Sequence, residues 1–162
     1  MNYDCCFTKE NNWFRYRTGG IVVHDGKMLF VKCIYADYYY MVGGGVFLGE
    51  TSKDCMEREI FEETGMKLKA KHLSVVCENF FKGKDGLADG CDCHVLEYYY
   101  LLEVSDEDIK NCKTLTDNGE PLVWIPFEDF DKVVIKPDFI KERIDEIINT
   151  DNVIHVIEER DR

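Results

Sequence analysis

Residues 44–66 read GGVFLGETSKDCMEREIFEETGM, a glycine-rich turn that runs into a charged, helix-forming segment. We predict a helix from about residue 52 to residue 64. Thr51 and Asp54 resemble a capping box at its start, and Gly65 is suited to the left-handed conformation that ends a helix. The rest of the chain is therefore interpreted around one helix whose two ends are both marked in the sequence.

Three glutamates of this predicted helix, Glu59, Glu62 and Glu63, are spaced at i, i+3 and i+4 and so share one face. Without a partner they would repel one another, and the three alone are typical of a solvated acidic surface helix. A divalent cation such as Mg²⁺ is the natural partner of clustered carboxylates, and it also binds substrate phosphates. Arg58 stands four residues before Glu62 and is expected to orient it.

The full spacing favours the metal-binding interpretation. It reads Gly44, five residues, Glu50, seven residues, Arg58-Glu59-Ile60, one residue, Glu62-Glu63, one residue, Gly65-Met66. This pattern resembles the Nudix box, the signature of the Nudix hydrolase superfamily, at every specified position. The resemblance extends over roughly residues 15–150. One difference is that Met41-Val42 replaces the Leu-Pro pair that often precedes the glycines, which affects the loop and not the carboxylates.

The resemblance implies a role for each matching residue. Nudix enzymes hydrolyse a nucleoside diphosphate linked to another moiety, by attack of water on a diphosphate phosphorus. The implied metal ligands for Mg²⁺, or alternatively Mn²⁺, are Glu59, Glu62, Glu63 and the carbonyl of Gly44. The implied catalytic residues are Glu59, Glu62 and Arg58, and the implied structural residues of the box are Gly44, Glu50 and Gly65. The general base is either a glutamate of the box or a later carboxylate, for which Glu97, Asp117 and Glu120 are the candidates.

Weaker signals lie outside the box. Cys91-Asp92-Cys93-His94 offers soft metal ligands, but its spacing is not that of a known zinc site. Four basic residues are candidates for phosphate contacts, and for each the ordinary alternative is a solvated surface charge: Arg17, Lys32, Lys82 and Lys84.

The pattern outside the box predicts an α/β fold. We expect a hairpin over residues 3–17 and a second, central hairpin turned by His24-Asp25-Gly26-Lys27. Further strands are expected at 73–80, 95–104 and 122–125, with loops at 82–93 and 105–120. An amphipathic helix over 138–149 and a last strand over 152–157 are expected at the periphery. The resemblance implies a Nudix-type α/β/α sandwich with a central mixed β-sheet, and residues 1–162 are expected to form a single Nudix hydrolase domain.

Composition limits the partners. The chain of 162 residues carries a net charge of −12 and eight cysteines. Nucleic-acid binding needs a basic surface, so we expect no nucleic acid as a partner. The resemblance to the Nudix hydrolases implies a small-molecule nucleotide as the substrate. No segment has the length of a membrane span and the N-terminus does not resemble a signal peptide, so we expect no membrane partner, a cytoplasmic protein and reduced cysteines. Because dimers are common in the family, a homodimer is also compatible with the resemblance.

Marks of particular substrates are missing from the sequence. The family's extra motifs for ADP-ribose, dinucleoside polyphosphates and NADH are all absent downstream of the box. ADP-ribose, a nucleotide sugar, a dinucleoside polyphosphate or an oxidised nucleoside triphosphate therefore all fit. The alternative from another class is a catalytically weak Nudix-fold module that binds or senses a nucleotide. Such modules tend to lose box glutamates, and here all of them are present.

Overall fold

A computed structural model describes residues 2–84 and 86–160. Over these residues the chain forms ten strands and three α-helices. In chain order they are β1 (Cys6–Lys9), β2 (Asn12–His24), β3 (Lys27–Lys32), β4 (Tyr39–Tyr40), β5 (Gly43–Gly45), α1 (Ser52–Thr64), β6 (Lys69–Lys82), β7 (Asp92–Glu103), α2 (Asp106–Lys110), β8 (Leu122–Pro126), β9 (Ile135–Lys136), α3 (Phe139–Asn149) and β10 (Ile154–Arg160). A 3₁₀ helix, Phe127–Lys132, follows β8. Among the described residues, no helix combines the length and apolar character needed to cross a bilayer.

The strands form one curled mixed sheet in the order β10-β6-β7-β2-β3-β4-β9. In addition, β1 and β5 pair with β2, and β8 pairs with β3. The pairs β2–β7 and β6–β10 are parallel, whereas β6–β7 and β2–β3 are antiparallel. The thirteen-residue strand β2 therefore joins both halves of the sheet.

The two faces of the sheet are covered by different helices. Ile21 packs with the buried side of α3, whereas its neighbour Val22 packs with Met56 and Ile60 of α1. Consecutive residues of a strand point to opposite faces, so α1 and α3 lie on opposite sides of the sheet. This is the α/β/α layering that the sequence predicts.

Most predicted elements are found near their expected bounds. The helix over residues 52–64 is confirmed, with Thr51 as its N-cap and Gly65 in the left-handed conformation at φ 77°. The capping box is only half present, because Asp54 Oδ2 accepts from the Thr51 hydroxyl at 2.6 Å and not from its backbone N–H. The 82–93 loop is shorter than predicted, because Lys82 and Asp92 are already paired in the sheet. The prediction of a loop with at most one helical turn over 105–120 is confirmed, because α2 is a single short turn.

Candidate active site

The glycine strand β5 sets the position of the site. It pairs with β2 so that Gly45 lies opposite Arg17 and Gly44 lies opposite Thr18. The chain then turns into α1, whose first N–H groups are capped by Thr51 Oγ1, 3.1 Å from the N atom of Asp54. As a result, the middle of α1 faces the backbone of the glycines.

Arg58 is at the centre of the charged cluster on α1. Its Nε and Nη2 donate to the two carboxylate oxygens of Glu50 at 2.8 and 3.0 Å. Its Nη1 donates to Glu59 at 2.6 Å and to Glu62 at 3.1 Å. The guanidinium also lies over the ring of Phe47 at 4.2 Å. One cation thereby fixes three carboxylates and ties the loop before α1 to the helix.

Glu59 lies directly against Gly44. A Cβ added to Gly44 would overlap the carboxylate of Glu59, so any side chain at this position would displace that carboxylate. The side chain of Glu59 is 14% exposed. Burial raises the pKa of its carboxyl group; Arg58 opposes this rise, and Glu62 and Glu63 add to it. The cluster therefore holds more negative charge than Arg58 neutralises.

This arrangement fits a hard divalent cation. The available metal ligands are carboxylate oxygens, which Mg²⁺ and Mn²⁺ prefer. Because Gly44 has no side chain, the carboxylate of Glu59 lies directly against the glycine strand, and Glu62 and Glu63 add negative charge around it.

The segment after α2 reaches the far end of the cluster. Glu63 Oε2 accepts a hydrogen bond from the Asp117 N atom at 3.0 Å. Lys113 Nζ donates to the Glu62 carbonyl and to Asp117 Oδ1, both at 2.7 Å. Asp117 thus contacts the box through its backbone, while its carboxylate is paired with Lys113.

The other two candidate carboxylates lie in different surroundings. Glu120 Oε2 accepts from the Tyr40 hydroxyl at 2.7 Å, and burial together with Glu120 raises the pKa of Tyr40. Glu97 is buried in β7, where Asn79 donates to its Oε2 at 3.2 Å. Burial raises the pKa of Glu97, and Arg17, 3.8 Å away on β2, opposes the rise.

The structure also shows contacts that the sequence did not reveal. Cys55 is buried behind the cluster, with its Sγ 3.3 Å from the Gly45 carbonyl and 3.4 Å from Arg58 Nη2. Its place on α1 could be read from helical periodicity. The contact between Arg17 and Glu97 could not, because it depends on pairing between distant strands.

The cysteine motif does not gather metal ligands. The ring of His94 packs between Phe14 and Phe80, with centroids 5.5 and 4.3 Å away. Among residues 2–84 and 86–160, the one group of three metal-ligand residues whose ligand atoms all lie within 4.8 Å of one another is His24, Asp25 and Asp106. His24 Nε2 lies 3.3 and 2.9 Å from the two aspartates, and both of these are exposed.

Comparisons with known proteins agree with this fold. The sequence model of the NUDIX domain matches residues 14–147. A MutT protein from Bacillus halodurans superposes with a TM-score of 0.63 at 16% identity, covering 87% of this chain and 86% of that one. A NUDIX hydrolase from Nitrosomonas europaea gives 0.62 at 14%, covering 90% and 79%. An ADP-ribose pyrophosphatase from Streptococcus suis gives 0.58 at 13%, covering 89% and 98%.

The match to the NUDIX domain spans the glycine strand, α1 and the strands on both sides of them. The structural similarities, all at low identity, show the same fold. On these grounds the chain belongs to the Nudix family and is a Nudix hydrolase.

Proposed function

We propose that this Nudix hydrolase is Mg²⁺-dependent, with Mn²⁺ as an alternative ion, and cleaves the diphosphate linkage of a nucleoside diphosphate joined to another moiety. One observation carries the proposal. Glu59 lies against the bare α-carbon of Gly44, in a cluster of carboxylates that Arg58 neutralises only in part. Such a cluster is suited to a divalent ion that would also neutralise a diphosphate.

We assign different roles to the residues of the box. We assign metal binding to Glu59, Glu62, Glu63 and the Gly44 carbonyl. A bound Mg²⁺ would supply charge neutralisation at phosphate oxygens and activation of a water molecule. Arg58 holds Glu59 and Glu62 in a fixed orientation, and its bidentate contact with Glu50 keeps the loop in register with α1.

The attacking water must lose a proton to a carboxylate. Within the box, Glu59 and Glu62 are the candidates for this general base. Outside it, the candidates remain Glu97, Asp117 and Glu120, whose surroundings differ: a buried ion pair, a lysine contact and a tyrosine contact. Substitution of each by its amide separates them, because only loss of the base lowers kcat while metal affinity is retained.

The substrate is proposed as a class. Two similar structures are described as a MutT protein and an ADP-ribose pyrophosphatase, and both names fit compounds with a nucleoside diphosphate core. We therefore propose ADP-ribose, a nucleotide sugar, a dinucleoside polyphosphate or an oxidised nucleoside triphosphate as substrates, in a cytoplasmic protein. Homodimer formation remains compatible with this proposal.

A panel of these diphosphate compounds, incubated with and without Mg²⁺ and followed by product identification, tests the function. We expect hydrolysis that stops when Mg²⁺ is withdrawn. We expect Glu63→Gln to lower kcat by about a hundredfold or more while the protein remains folded. The matched control is Glu146→Gln, a glutamate on the surface of α3 that pairs with Arg143; its activity should equal that of the wild type.

Two results would contradict the proposal. Full activity of folded Glu63→Gln across the panel would show that the box does not perform the chemistry. Tight binding of a nucleotide without any Mg²⁺-dependent hydrolysis would instead identify the chain as a binding or sensing module.

A further inference from the structure

Arg17 lies beside the glycine strand but on the other face of the sheet from α1. Its neighbours in the sheet are Gly45 on β5 and Glu97 on β7. A Cβ at Gly20 would meet Ile60 of α1, so the even-numbered residues of this part of β2 face α1. Arg17 therefore faces the opposite side, on the strand next to Gly44, the glycine that contacts Glu59.

The side chain of Arg17 is incompletely paired. Its Nε atom is buried and has no hydrogen-bond partner among the described residues. The nearest carboxylate, Glu97, is 3.8 Å away, which is too far for a hydrogen bond. Arg58, by contrast, makes four contacts of 2.6 to 3.1 Å with carboxylates. A buried N–H group without an acceptor is costly, so an acceptor from outside the protein would be bound favourably there.

Two of the other three basic candidates for phosphate contacts are already engaged by carboxylates. Lys32 pairs with Asp37 and lies over the ring of Tyr39, and Lys82 pairs with Asp92 at 2.9 Å. Both of those aspartates are exposed, whereas Glu97 is buried and is held separately by Asn79 at 3.2 Å. Glu97 would thus keep a hydrogen-bond donor if Arg17 moved away from it.

The surroundings keep Arg17 charged. Burial opposes the charged form, but Glu97, Tyr99, Tyr40 and Glu59 together raise the pKa of its guanidinium. Glu59 belongs to the charged cluster on α1, and Tyr40 contacts the candidate carboxylate Glu120. In a chain of net charge −12, a local cation is what an anionic substrate requires.

We propose that Arg17 binds the substrate, its guanidinium turning from Glu97 to donate hydrogen bonds to a phosphate oxygen of the diphosphate. This inference rests on the proposed function, since it assumes a diphosphate that extends past the glycine strand to the face of the sheet on which Arg17 lies. Glu97 then serves as the internal negative charge that attracts Arg17 before substrate arrives. An arginine can donate two parallel hydrogen bonds to one phosphate, which a lysine cannot do.

The test compares the two members of the pair. The probe is methylene diphosphonate, a diphosphate mimic that is not hydrolysed, with its Kd measured by calorimetry in the presence of Mg²⁺. We expect Arg17→Gln to weaken binding by about tenfold or more, the effect of losing a charge-assisted hydrogen bond. The Kd of Arg17→Lys for the probe should lie between those of the wild type and Arg17→Gln. Glu97→Gln should bind the probe as tightly as the wild type or more tightly.

The matched control is Arg160→Gln, which removes another arginine with a buried, unpartnered Nε that contacts Asn79 at 3.2 Å. Its probe affinity should be unchanged. If Arg17 only supports the fold, then Glu97→Gln and Arg17→Gln will lose affinity together, and this result would overturn the inference. Unchanged affinity in Arg17→Gln would overturn it equally. If Arg17→Gln fails to fold, the probe affinity of Arg17→Lys is used instead: weaker binding than in the wild type supports the inference, and unchanged binding overturns it.

Failure of this inference can be distinguished from failure of the proposed function. Mg²⁺-dependent hydrolysis by the wild type, with normal probe binding in the Arg17 variants, would remove the role of Arg17 and leave the function. No hydrolysis of any compound would remove the function, while the probe affinities would still show whether Arg17 binds a diphosphate.

Discussion

Two neighbouring glycines of β5 are required for different reasons. A side chain at Gly43 would meet the backbone of Thr18 and Gly19 in the adjacent strand, which cannot move without opening the sheet. A side chain at Gly44 would meet the end of the Glu59 side chain, which can rotate away. The first glycine therefore protects the fold, and the second keeps the position of one carboxylate.

This difference predicts opposite outcomes for two alanine substitutions. Gly44→Ala should lower kcat by about tenfold or more with a small change in melting temperature, because Glu59 is displaced. Gly43→Ala should lower the melting temperature markedly, because backbone overlap is not relieved by rotation of a side chain. Thermal unfolding and steady-state kinetics on both variants check the prediction. Equal losses of stability in the two variants would contradict it.

At the scale of elements, the loop before α1 is fastened to the helix by one ion pair. Glu50 accepts two hydrogen bonds from Arg58 and one from the N atom of Phe47 at 3.1 Å. Both side chains are mostly buried, at 16% and 24% exposure. Without Glu50, the carboxylate contacts of Arg58 would be those with Glu59 and Glu62, and the loop before α1 would lose its ion pair with the helix.

The pair predicts a pH-dependent contribution to stability. Hydrogen bonds from Arg58 lower the pKa of Glu50 below its ordinary value of 4.5, against the opposing effect of burial. A carboxyl group whose pKa is lower in the folded state stabilises the fold above its unfolded pKa, and this contribution is lost as the pH falls through the folded pKa.

We expect Glu50→Gln to be less stable than the wild type by about 1 to 3 kcal/mol at pH 7. The difference should shrink as the pH falls below about 4.5. Urea unfolding of both proteins from roughly pH 3 to pH 7, a range that includes the titration of a carboxyl group, measures this difference in the free energy of unfolding. The wild type is the matched control, because all other carboxylates are common to both. A difference that stays constant with pH would refute the assignment.

The elements show which parts of the structure the sequence could predict. Helix α1 was predictable because Thr51 and Gly65 mark its ends, and helical periodicity alone places the three box glutamates on one face. Strands β4, β5 and β9 have two or three residues each, too few for an alternating pattern, so they depend on pairing with longer strands. The 82–93 segment was predicted as a longer loop because its glycines and charged residues do not show the pattern of a strand, although β6 ends at Lys82 and β7 begins at Asp92.

The part of the site that could not be predicted is the part contributed by other strands. Arg17 and Glu97 are brought together by the parallel register of β2 and β7, and no local pattern specifies that register. The contact of Asp117 with Glu63 likewise depends on how the segment after α2 folds back.

On the scale of the whole molecule, the charged cluster is already partly neutralised by protein groups. Arg58 contacts Glu50, Glu59 and Glu62, and the backbone of Asp117 contacts Glu63. The fold around the cluster is completed by two apolar cores, one on each face of the sheet. The eight cysteines are all free, so no disulfide contributes to this stability.

We therefore predict that removing the metal stops catalysis without unfolding the protein. With excess EDTA, hydrolysis should cease, whereas the circular dichroism spectrum at room temperature should not change. The melting temperature should fall by no more than about 10 °C, the range expected from loss of a bound ligand. Restoring Mg²⁺ should restore activity. Loss of secondary structure on chelation would contradict the prediction and would indicate a structural metal.

The long strand β2 also has a consequence for the order in which the molecule forms. Its parallel partner β7 follows about eighty residues later, as the hydrogen bond between Thr18 and the Tyr98 carbonyl shows. On the ribosome, the glycine turn and α1 emerge well before that partner exists, so one edge of β2 stays unpaired during that time. Contacts between such distant residues also slow folding. The box glutamates are thus synthesised early, but the sheet beside them is complete only after β7 has been made.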